Sequence, residues 1–270
     1  MRTTADRRRA FRELHASGCF VIPNPWDAGS ARTLVQLGFP ALATTSSGFA
    51  WTTGRRDNHV PLDEVLAHVR TIAAAVDVPV NADFEGGYAV RPEDVASNVA
   101  RAVDTGIAGL SIEDSTHDPT SPLFAFDLAV ARVRAARGAI DDSGTGVLLT
   151  GRSEGFIAGR PDLDETIRRL KAYAEAGADC LYAPGIREIG QIEAIVKAVA
   201  PRPVNVLAVP SLSVTDLARA GVRRISVGGA LARTAWTGFL AAAREIAQQG
   251  TFTAIGRAAT GAEVNALFDE

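Results

Sequence analysis

Eight short apolar segments alternate with eight amphipathic helical patterns along the 270-residue chain, and this alternation predicts a closed (β/α)8 barrel. A second observation is a recurring unit in which a helix ends at a glycine and an apolar strand follows. The unit occurs at Gly38, Gly106, Gly177 and Gly221, where a helix C-terminus favours a left-handed residue. No linker rich in Pro, Gly or Ser interrupts the pattern, so residues 1–270 are predicted to form a single domain.

The same alternation gives the bounds of the predicted strands and helices. The predicted strands are FVIPN from Phe20, ALATT from Ala41, PVNAD from Pro79, GLSIED from Gly109, GVLLTGR from Gly146, CLYAPG from Cys180, PVNVLA from Pro203 and RRISVGG from Arg223. The predicted barrel helices span 28–37, 61–75, 92–105, 127–139, 162–176, 188–199, 214–220 and 230–248. Helix starts are marked by Pro61, Pro92, Asp162 and Ser213, the last with Asp216 in a capping-box spacing. Residues 1–18 should form a helix with a solvated charged face and Phe11 and Leu14 inward.

Composition and charge exclude several classes of protein. The net charge is −3 and the pI about 5.9, with no basic stripe, which argues against a nucleic-acid partner. No apolar run reaches membrane-spanning length, and the basic N-terminus lacks the apolar core of a signal peptide. Cys19 and Cys180 lie in strand-like runs without metal-ligand spacing, so we expect buried thiols and a reducing, cytoplasmic location.

The stretch VPVNADFEGGY, from Val78 to Tyr88, is the most informative in the chain. A buried parallel strand should be apolar on both faces, so carboxylates at its end need another explanation. Side-chain alternation would place Asn81, Asp83 and Glu85 on one face. Two carboxylates two residues apart, followed by a Gly-Gly bend, suit a hard divalent cation such as magnesium.

Polar residues also follow the other predicted strands. The active site of such barrels gathers at the carboxyl ends of the strands, whereas the opposite ends here carry few comparable groups. The sequence therefore predicts a catalytic rim. Its members are Asn24, Trp26 and Asp27; Thr45, Ser46, Ser47 and Gly48; Asn81, Asp83 and Glu85; Glu113 and Asp114; Arg152 and Glu154; and Asn205.

The charges on this rim indicate the chemistry. Asp83, Glu85 and Glu113 would repel one another unless a cation neutralised them, and magnesium could take one carboxylate directly and two through water. Arg152 offers a planar fork for a substrate carboxylate or phosphonate. The turn from Ser46 to Phe49 could aim backbone N–H groups at developing oxyanion charge. Together these features suit a 2-oxo acid that passes through a metal-stabilised enolate.

Over essentially its whole length the chain resembles the isocitrate lyase/phosphoenolpyruvate mutase superfamily, including its oxaloacetate decarboxylase-like branch. The pieces that carry the resemblance are NPWDAGSARTLVQLGF, TTSSGFAWTTGRRD, VPVNADFEGGY, GLSIED, LLTGRSEGFIAG and PVNVLA. It implies a barrel that acts on 2-oxo acids with Mg²⁺, or Mn²⁺ in its place. It also implies a homo-oligomer, a tetramer, in which the helix at 230–248, within a helical region at 230–270, packs on or swaps with a neighbouring subunit.

The resemblance also assigns roles to individual residues. It places substrate against Ser47, Gly48 and Phe49, and metal on Asp83 and Glu113, with Glu85 assisting. Arg152 binds the acid group of the substrate, and Asp57 lies in a mobile loop. The full expected set is Asp57 and Arg152 as catalytic residues, Ser46, Ser47, Gly48, Phe49, Trp26, Arg152 and Asn205 around the substrate, and Asp83, Glu85 and Glu113 at the metal.

Two departures from the superfamily pattern matter. Asn81 stands where the lyases and the mutase have the first aspartate of an Asp-x-Asp motif, and Glu85 is expected to restore the charge. The Lys-Lys-Cys-Gly-His loop of the lyases is replaced by DSTHDPTSPLF, in which His117 is the acid/base candidate; His59 is a second one.

Three functions therefore stay open. The first is magnesium-dependent cleavage or formation of a C–C bond in a 2-oxo acid, such as oxaloacetate decarboxylation. The second is a C–P mutase or hydrolase for phosphonopyruvate-type substrates, although the gate asparagine of the mutases has no clear counterpart between Asp114 and Phe126. The third is a non-catalytic 2-oxo acid binding protein. Without the lyase cysteine, cleavage of isocitrate or 2-methylisocitrate should be weak.

Overall fold

The computed structural model describes residues 2–268 and contains one eight-stranded parallel sheet. Around the sheet the strands follow the order β1-β8-β7-β6-β5-β4-β3-β2. The strands are β1 (Phe20–Ile22), β2 (Leu42–Ala43), β3 (Val80–Asp83), β4 (Gly109–Glu113), β5 (Leu148–Arg152), β6 (Cys180–Tyr182), β7 (Val204–Leu207) and β8 (Arg224–Ser226). On the β1–β2 side, the Ala43 N–H donates to the carbonyl of Pro23 at 3.0 Å. The sheet thus forms a nearly closed barrel, which confirms the predicted (β/α)8 fold.

The helices match the predicted ones to within a few residues at each end. They are α1 (Thr4–Ala16), α2 (Ala28–Gln36), α3 (Ser46–Thr52), α4 (Leu62–Ala75), α5 (Pro92–Val103), α6 (Phe126–Asp142), α7 (Leu163–Glu175), α8 (Ile189–Val199), α9 (Val214–Arg219), α10 (Ala230–Gln249), a 3₁₀ turn (Ile255–Arg257) and α11 (Gly261–Asn265). The Ser213–Asp216 capping box is present. The four helix-ending glycines have φ between +84° and +104°. The short helix α3, absent from the prediction, is an addition.

The strands bury both of their faces, but the two faces differ in character. On β4, Leu110 and Ile112 point outward into the main apolar core between sheet and helices. The alternate residues Gly109, Ser111 and Glu113 point into the barrel. They are also buried. The barrel interior is therefore partly polar, and this polar interior opens toward the carboxyl ends of the strands.

Helix α1 covers the opposite, amino-terminal end of the barrel. Phe11 is fully buried against Phe20, Ile22 and neighbouring small residues at the bottom of the barrel. Arg8 is also buried, and it donates to the carbonyls of Ile107 and Val103 at 2.8 and 2.9 Å. Arg8 is thus an exception to the expected solvated charged face, because it bonds the carbonyls of Val103, the last residue of α5, and of Ile107 just after it.

The C-terminal region exposes many apolar side chains. In α10, Ala232 is the buried residue, and the rest of the helix is largely accessible. The exposed apolar side chains here are Trp236, Phe239, Leu240, Ile246, Phe252, Ile255, Val264 and Phe268. Contact of this region with another subunit stays a prediction, and Asp269 and Glu270 lie outside the described residues. Within residues 2–268, none of the helices combines the length and apolarity needed to cross a bilayer.

Candidate active site

A cavity of about 180 Å³ opens at the carboxyl ends of the strands. Its volume lies below the roughly 300–1,000 Å³ of sites for drug-sized ligands, so it suits a small metabolite. The lining combines expected rim residues with interior ones. It includes Asn24, Thr44, Thr45, Ser46, Ser47, Asp57, Asn81, Asp83, Ser111, Arg152, Tyr182, Asn205, Arg224 and Ser226.

Arg152 is the centre of the charged cluster in this cavity. Its Nη1 lies 3.1 Å from Asp83 Oδ1 and 3.1 Å from Glu113 Oε2, and its Nε donates to Glu154. Burial alone would lower the pKa of Arg152, but Glu154, Glu113 and Asp83 hold it well above the usual value. Burial likewise opposes ionisation of Glu113, yet Arg152 keeps the Glu113 pKa below its usual range. The cluster therefore joins one fixed cation to three carboxyl groups.

A second layer of hydrogen bonds holds the Arg152–Glu154 segment in place. The buried carboxylate of Asp114 accepts the Glu154 N–H at 2.7 Å, the Tyr173 hydroxyl at 2.6 Å and Arg169 Nη1 at 3.1 Å. Burial raises the pKa of Glu154 to about 8. Asp114, which the sequence placed on the rim, is thus a support for the cavity wall.

The acidic residues fit a hydrated divalent ion held by two carboxylates. Asp83 and Glu113 already converge on one cationic nitrogen, and Mg²⁺ typically binds one or two carboxylates and keeps several waters. In residues 2–268, no group of three His, Cys, Asp or Glu side chains has the geometry of a metal cage. Asp83 and Glu113 are therefore the pair that could hold the ion, with Arg152 Nη1 displaced from the position between them.

Glu85 lies beside Asp83, but not through the strand alternation that the sequence predicted. Strand β3 ends at Asp83, and Glu85 has a left-handed φ of 45°, which breaks the alternation. Its carboxylate accepts the Tyr88 hydroxyl at 2.8 Å in a small enclosed space that Asp83 also borders. Burial raises the Glu85 pKa to about 7. A role for Glu85 at the metal through water stays a proposal.

The first turn of α3 forms another part of the cavity wall. Thr45 is the N-cap, and its hydroxyl accepts the Gly48 N–H at 3.3 Å. The Ser46 N–H donates to Asp83 Oδ2 at 3.0 Å. The Ser47 N–H is in the first turn, where an amide has no intrahelical acceptor, and Ser47 lines the cavity. The expected turn of backbone donors is thus the start of a helix.

Gly48 and Phe49 belong to the packing behind that wall. A Cβ on Gly48 would lie 2.6 Å from Thr45 Cγ2 and 3.0 Å from Trp26 Cβ, so only glycine fits. The Phe49 ring stacks on His68, with ring centroids 3.7 Å apart. Trp26, expected at the substrate, lies instead in a separate apolar pocket with Trp236.

Three candidate acid/base residues occupy different positions. Asp57 lines the cavity, and burial raises its pKa above the usual value. His117 Nε2 lies 3.3 Å from Glu113 Oε1, a contact that raises the His117 pKa. The exposed His59 bonds the carbonyl of Asp57 at 2.7 Å. Asp57 is therefore the one of the three that borders the cavity.

Asn24 and Asn205 form hydrogen bonds with residues on or next to neighbouring strands. Asn24 Oδ1 accepts the N–H groups of Val227 and Gly228, both at 2.9 Å. These two N–H groups of the loop after β8 are therefore already bonded to Asn24. Asn205, a predicted substrate residue, lines the cavity and accepts Arg224 Nε at 2.9 Å. Arg224 is not among the predicted site residues, because its segment, RRIS, has the pattern of an ordinary strand that begins at the protein surface.

Comparison with known proteins decides the family. The profile of the family described as phosphoenolpyruvate phosphomutase matches residues 11–247. The chain belongs to this family. The phosphoenolpyruvate mutase family lies in the phosphoenolpyruvate mutase/isocitrate lyase superfamily, which confirms the resemblance.

Three individual proteins show how similar this chain is to known members. An oxaloacetate decarboxylase of Pseudomonas entomophila (strain L48) is 30% identical over 235 residues, covering 83% of this chain and 79% of the relative. A solved Burkholderia cenocepacia J2315 protein, with an inferred lyase or mutase activity, is 46% identical with a TM-score of 0.95, covering 98% and 97% of the two chains. A structure of oxaloacetate acetylhydrolase with the product oxalate is 25% identical with a TM-score of 0.86, covering 97% and 94%.

Proposed function

We propose that this protein is a magnesium-dependent enzyme that cleaves a C–C bond next to the keto group of a 2-oxo acid. Decarboxylation of oxaloacetate is its simplest reaction. The observation that carries the proposal is the placement of Arg152 between Asp83 and Glu113, at the edge of a small cavity. That arrangement places two carboxylates that could hold a cation beside a guanidinium that could bind an anion in exchange for its present contacts with Glu154.

Arg152 would bind the carboxylate beside the keto group of the substrate. A guanidinium presents two parallel N–H donors to a carboxylate, which fixes the plane of the acid as well as its charge. Asp83 and Glu113 would hold the metal ion, whose chemical contribution is to polarise the keto oxygen. Arg152 and the ion would thus neutralise carboxylates that otherwise repel the acidic substrate.

The reaction then needs little from the side chains beyond orientation. The bond between C3 and C4 of oxaloacetate breaks, CO₂ departs, and the electron pair moves into the enolate of pyruvate. We expect the Ser47 N–H, in the first turn of α3 beside the cavity, to donate to the oxyanion at C2. C3 of the enolate then takes up a proton from water, and Asp57 at the cavity mouth would order that water or close the cavity.

Two of the relatives support oxaloacetate as the substrate. An oxaloacetate decarboxylase and an oxaloacetate acetylhydrolase both act on oxaloacetate, and both resemble this chain over most of its length. The loop after β4 carries no cysteine that could serve as the acid of the lyases. It also carries no asparagine between Asp114 and Phe126, which argues against C–P bond chemistry.

The wider setting is also part of the proposal. We expect a homotetramer with contacts through α10 and the tail, because their exposed apolar side chains need a partner surface. We expect the enzyme to act on small acids in the cytoplasm. The reducing location is inferred because Cys19 and Cys180 are both free thiols. Cys180 is buried as expected, whereas Cys19 is partly exposed.

Product analysis tests the proposed function. Purified protein is incubated with oxaloacetate, isocitrate, 2-methylisocitrate and phosphonopyruvate, with magnesium or with EDTA, and products are identified by proton, carbon-13 and phosphorus-31 NMR. We expect pyruvate from oxaloacetate only with the metal, at a rate above that of magnesium in buffer. Oxalate and acetate would indicate hydrolysis instead, and phosphate or phosphoenolpyruvate would indicate C–P chemistry. Binding without turnover of any compound would reject catalysis.

A further inference from the structure

Arg224 on β8 is a buried cation at the inner end of the cavity. Its side chain is 4% exposed and contributes to the cavity lining. It donates to Asn205 Oδ1 at 2.9 Å and to Thr150 Oγ1 at 3.0 Å, and its Nη1 lies 3.4 Å from His15 Nε2. These three partners carry no negative charge in their ordinary forms.

No ion pair within residues 2–268 includes Arg224. The contrast with Arg152 is sharp, because Arg152 faces three carboxyl groups in the same cavity. A buried charge is normally paired, since an isolated ion loses much more hydration than neutral hydrogen bonds restore. The counter-charge of Arg224 must therefore come from the occupant of the cavity or from solvent.

Asn81 provides a second, independent sign of a missing partner. It is 3% exposed, lines the same cavity, and its Oδ1 has no hydrogen-bond partner among the described residues. Buried polar atoms are nearly always bonded. The guanidinium of Arg224 has five N–H groups, of which three face the contacts described above. Asn81 Oδ1 accepts, so its missing partner is a donor such as water, whereas the remaining N–H groups of Arg224 call for an anion; the inner end of the cavity thus offers both an acceptor and donors to something outside the chain.

We propose that Arg224 binds a second carboxylate of the substrate, so that the cavity selects 2-oxo acids with an acidic arm. Arg152 at the rim holds the carboxylate beside the keto group, and Arg224 at the floor holds the arm. The proposal rests on the proposed function, because it assumes a 2-oxo acid in this cavity.

The carboxylate that Arg224 binds is one that the reaction retains. A guanidinium stabilises a carboxylate and would oppose its departure as neutral CO₂, so Arg224 does not hold the leaving group. The substrate class is therefore an oxaloacetate that bears a carboxylate-containing substituent at C3. Loss of CO₂ from the oxaloacetate part leaves a 2-oxo acid with its arm still in place.

Two five-carbon acids test this assignment by binding alone. 2-Oxoglutarate and 2-oxopentanoate differ only in the terminal carboxylate, and titration calorimetry with magnesium present gives both affinities. We expect the protein to bind 2-oxoglutarate about tenfold or more tightly, as charged hydrogen bonds imply. In Arg224→Gln we expect the ratio to fall to about threefold or less, with the affinity for 2-oxopentanoate unchanged.

Two further variants make the test decisive. Arg223→Gln removes the same charge from the neighbouring position, whose side chain bonds the carbonyl of Gly18 outside the cavity, and should leave the ratio unchanged. Arg224→Lys keeps a positive charge if Arg224→Gln does not fold, and should lower the ratio by a smaller factor. A ratio near one in the unmodified protein, or an unchanged ratio in a folded Arg224 variant, would overturn the proposal.

The outcome is separable from that of the proposed function. An Arg224-dependent ratio without oxaloacetate turnover would retain the subsite and reject the decarboxylase. Turnover of oxaloacetate with a ratio independent of Arg224 would do the reverse.

Discussion

The guanidinium of Arg152 on β5 donates from Nη1 to Asp83 Oδ1 on β3 at 3.1 Å. This contact crosses above the intervening strand β4 and places the principal cation of the site against a proposed metal ligand. Because the Ser46 N–H bonds the other carboxylate oxygen of Asp83, the same residue also links Arg152 to α3. Substrate and metal would therefore bind to a network that already exists.

Arg152→Lys should impair catalysis without unfolding the protein. A lysine keeps the charge but cannot present the planar fork to a carboxylate, so we expect kcat/KM to fall by about 10- to 100-fold. Steady-state kinetics with oxaloacetate measures this loss. The control is Arg168→Lys, an exposed arginine paired with Glu165, which should retain full activity. Equal activity of both variants would remove Arg152 from the site.

Asp83→Asn should abolish magnesium-dependent turnover and leave the fold intact. Arg152 still faces Glu113 and Glu154 in this variant, so its charge remains compensated. We expect the free energy of unfolding to change by less than about 1 kcal/mol. Urea unfolding and magnesium titration of activity check both parts. Glu85→Gln, outside the convergent pair, should raise the magnesium requirement only modestly; equal defects would restore Glu85 as a principal ligand.

Phe11→Ala should destabilise the protein by weakening the packing at the amino-terminal end of the barrel. Phe11 is fully buried at the amino-terminal end, and truncation of a buried phenylalanine typically removes about 3–5 kcal/mol. Urea unfolding at pH 7 measures the loss. Leu37→Ala is the control, because Leu37 is 67% exposed and should change stability by about 0.5 kcal/mol or less. A small effect of Phe11→Ala would show that α1 does not seal the barrel.

His15 should make the protein less stable in mild acid. Burial, followed by the nearby charge of Arg224, lowers the pKa of His15 from 6.5 to about 3. Below pH 6.5 the unfolded chain takes up a proton that the folded state refuses, so stability falls as the pH drops toward 3. Between pH 7 and pH 5 this group alone should remove about 2 kcal/mol.

His15→Gln isolates that contribution. Urea unfolding at pH 7 and pH 5 gives the stability loss for each protein, and the loss should be about 2 kcal/mol smaller in the variant. Identical losses in both proteins would mean that His15 titrates in the folded state as it does in the unfolded chain.

The hydrophobic periodicity and the helix-ending glycines are sufficient to predict the barrel from the sequence. Strands such as GLSIED and glycines such as Gly177 carry local signals that agree with the final structure, so helix ends fall close to their expected positions. Helix α3 was missed because seven residues around Gly48 show no helical periodicity. The Thr45 cap was its one local signal.

The site depends on features that sequence patterns do not encode. The strand alternation expected to continue to Glu85 ends at Asp83, because Glu85 itself has a left-handed φ. Trp26 turned away from the cavity because Gly48 lets it pack closely behind α3. Arg224 meets Asn205 and Thr150 only through the closure of the barrel, and long-range contacts of this kind have no local signature.

Magnesium-dependent conversion of oxaloacetate to pyruvate is the most direct test of the central claim. The rate is measured for the unmodified protein and for Asp83→Asn over the same magnesium concentrations, with protein-free buffer subtracted. We expect saturable, magnesium-dependent pyruvate formation in the unmodified protein and only the buffer rate in Asp83→Asn. Equal rates in the two proteins, or no rate above buffer at any magnesium concentration, would contradict the account.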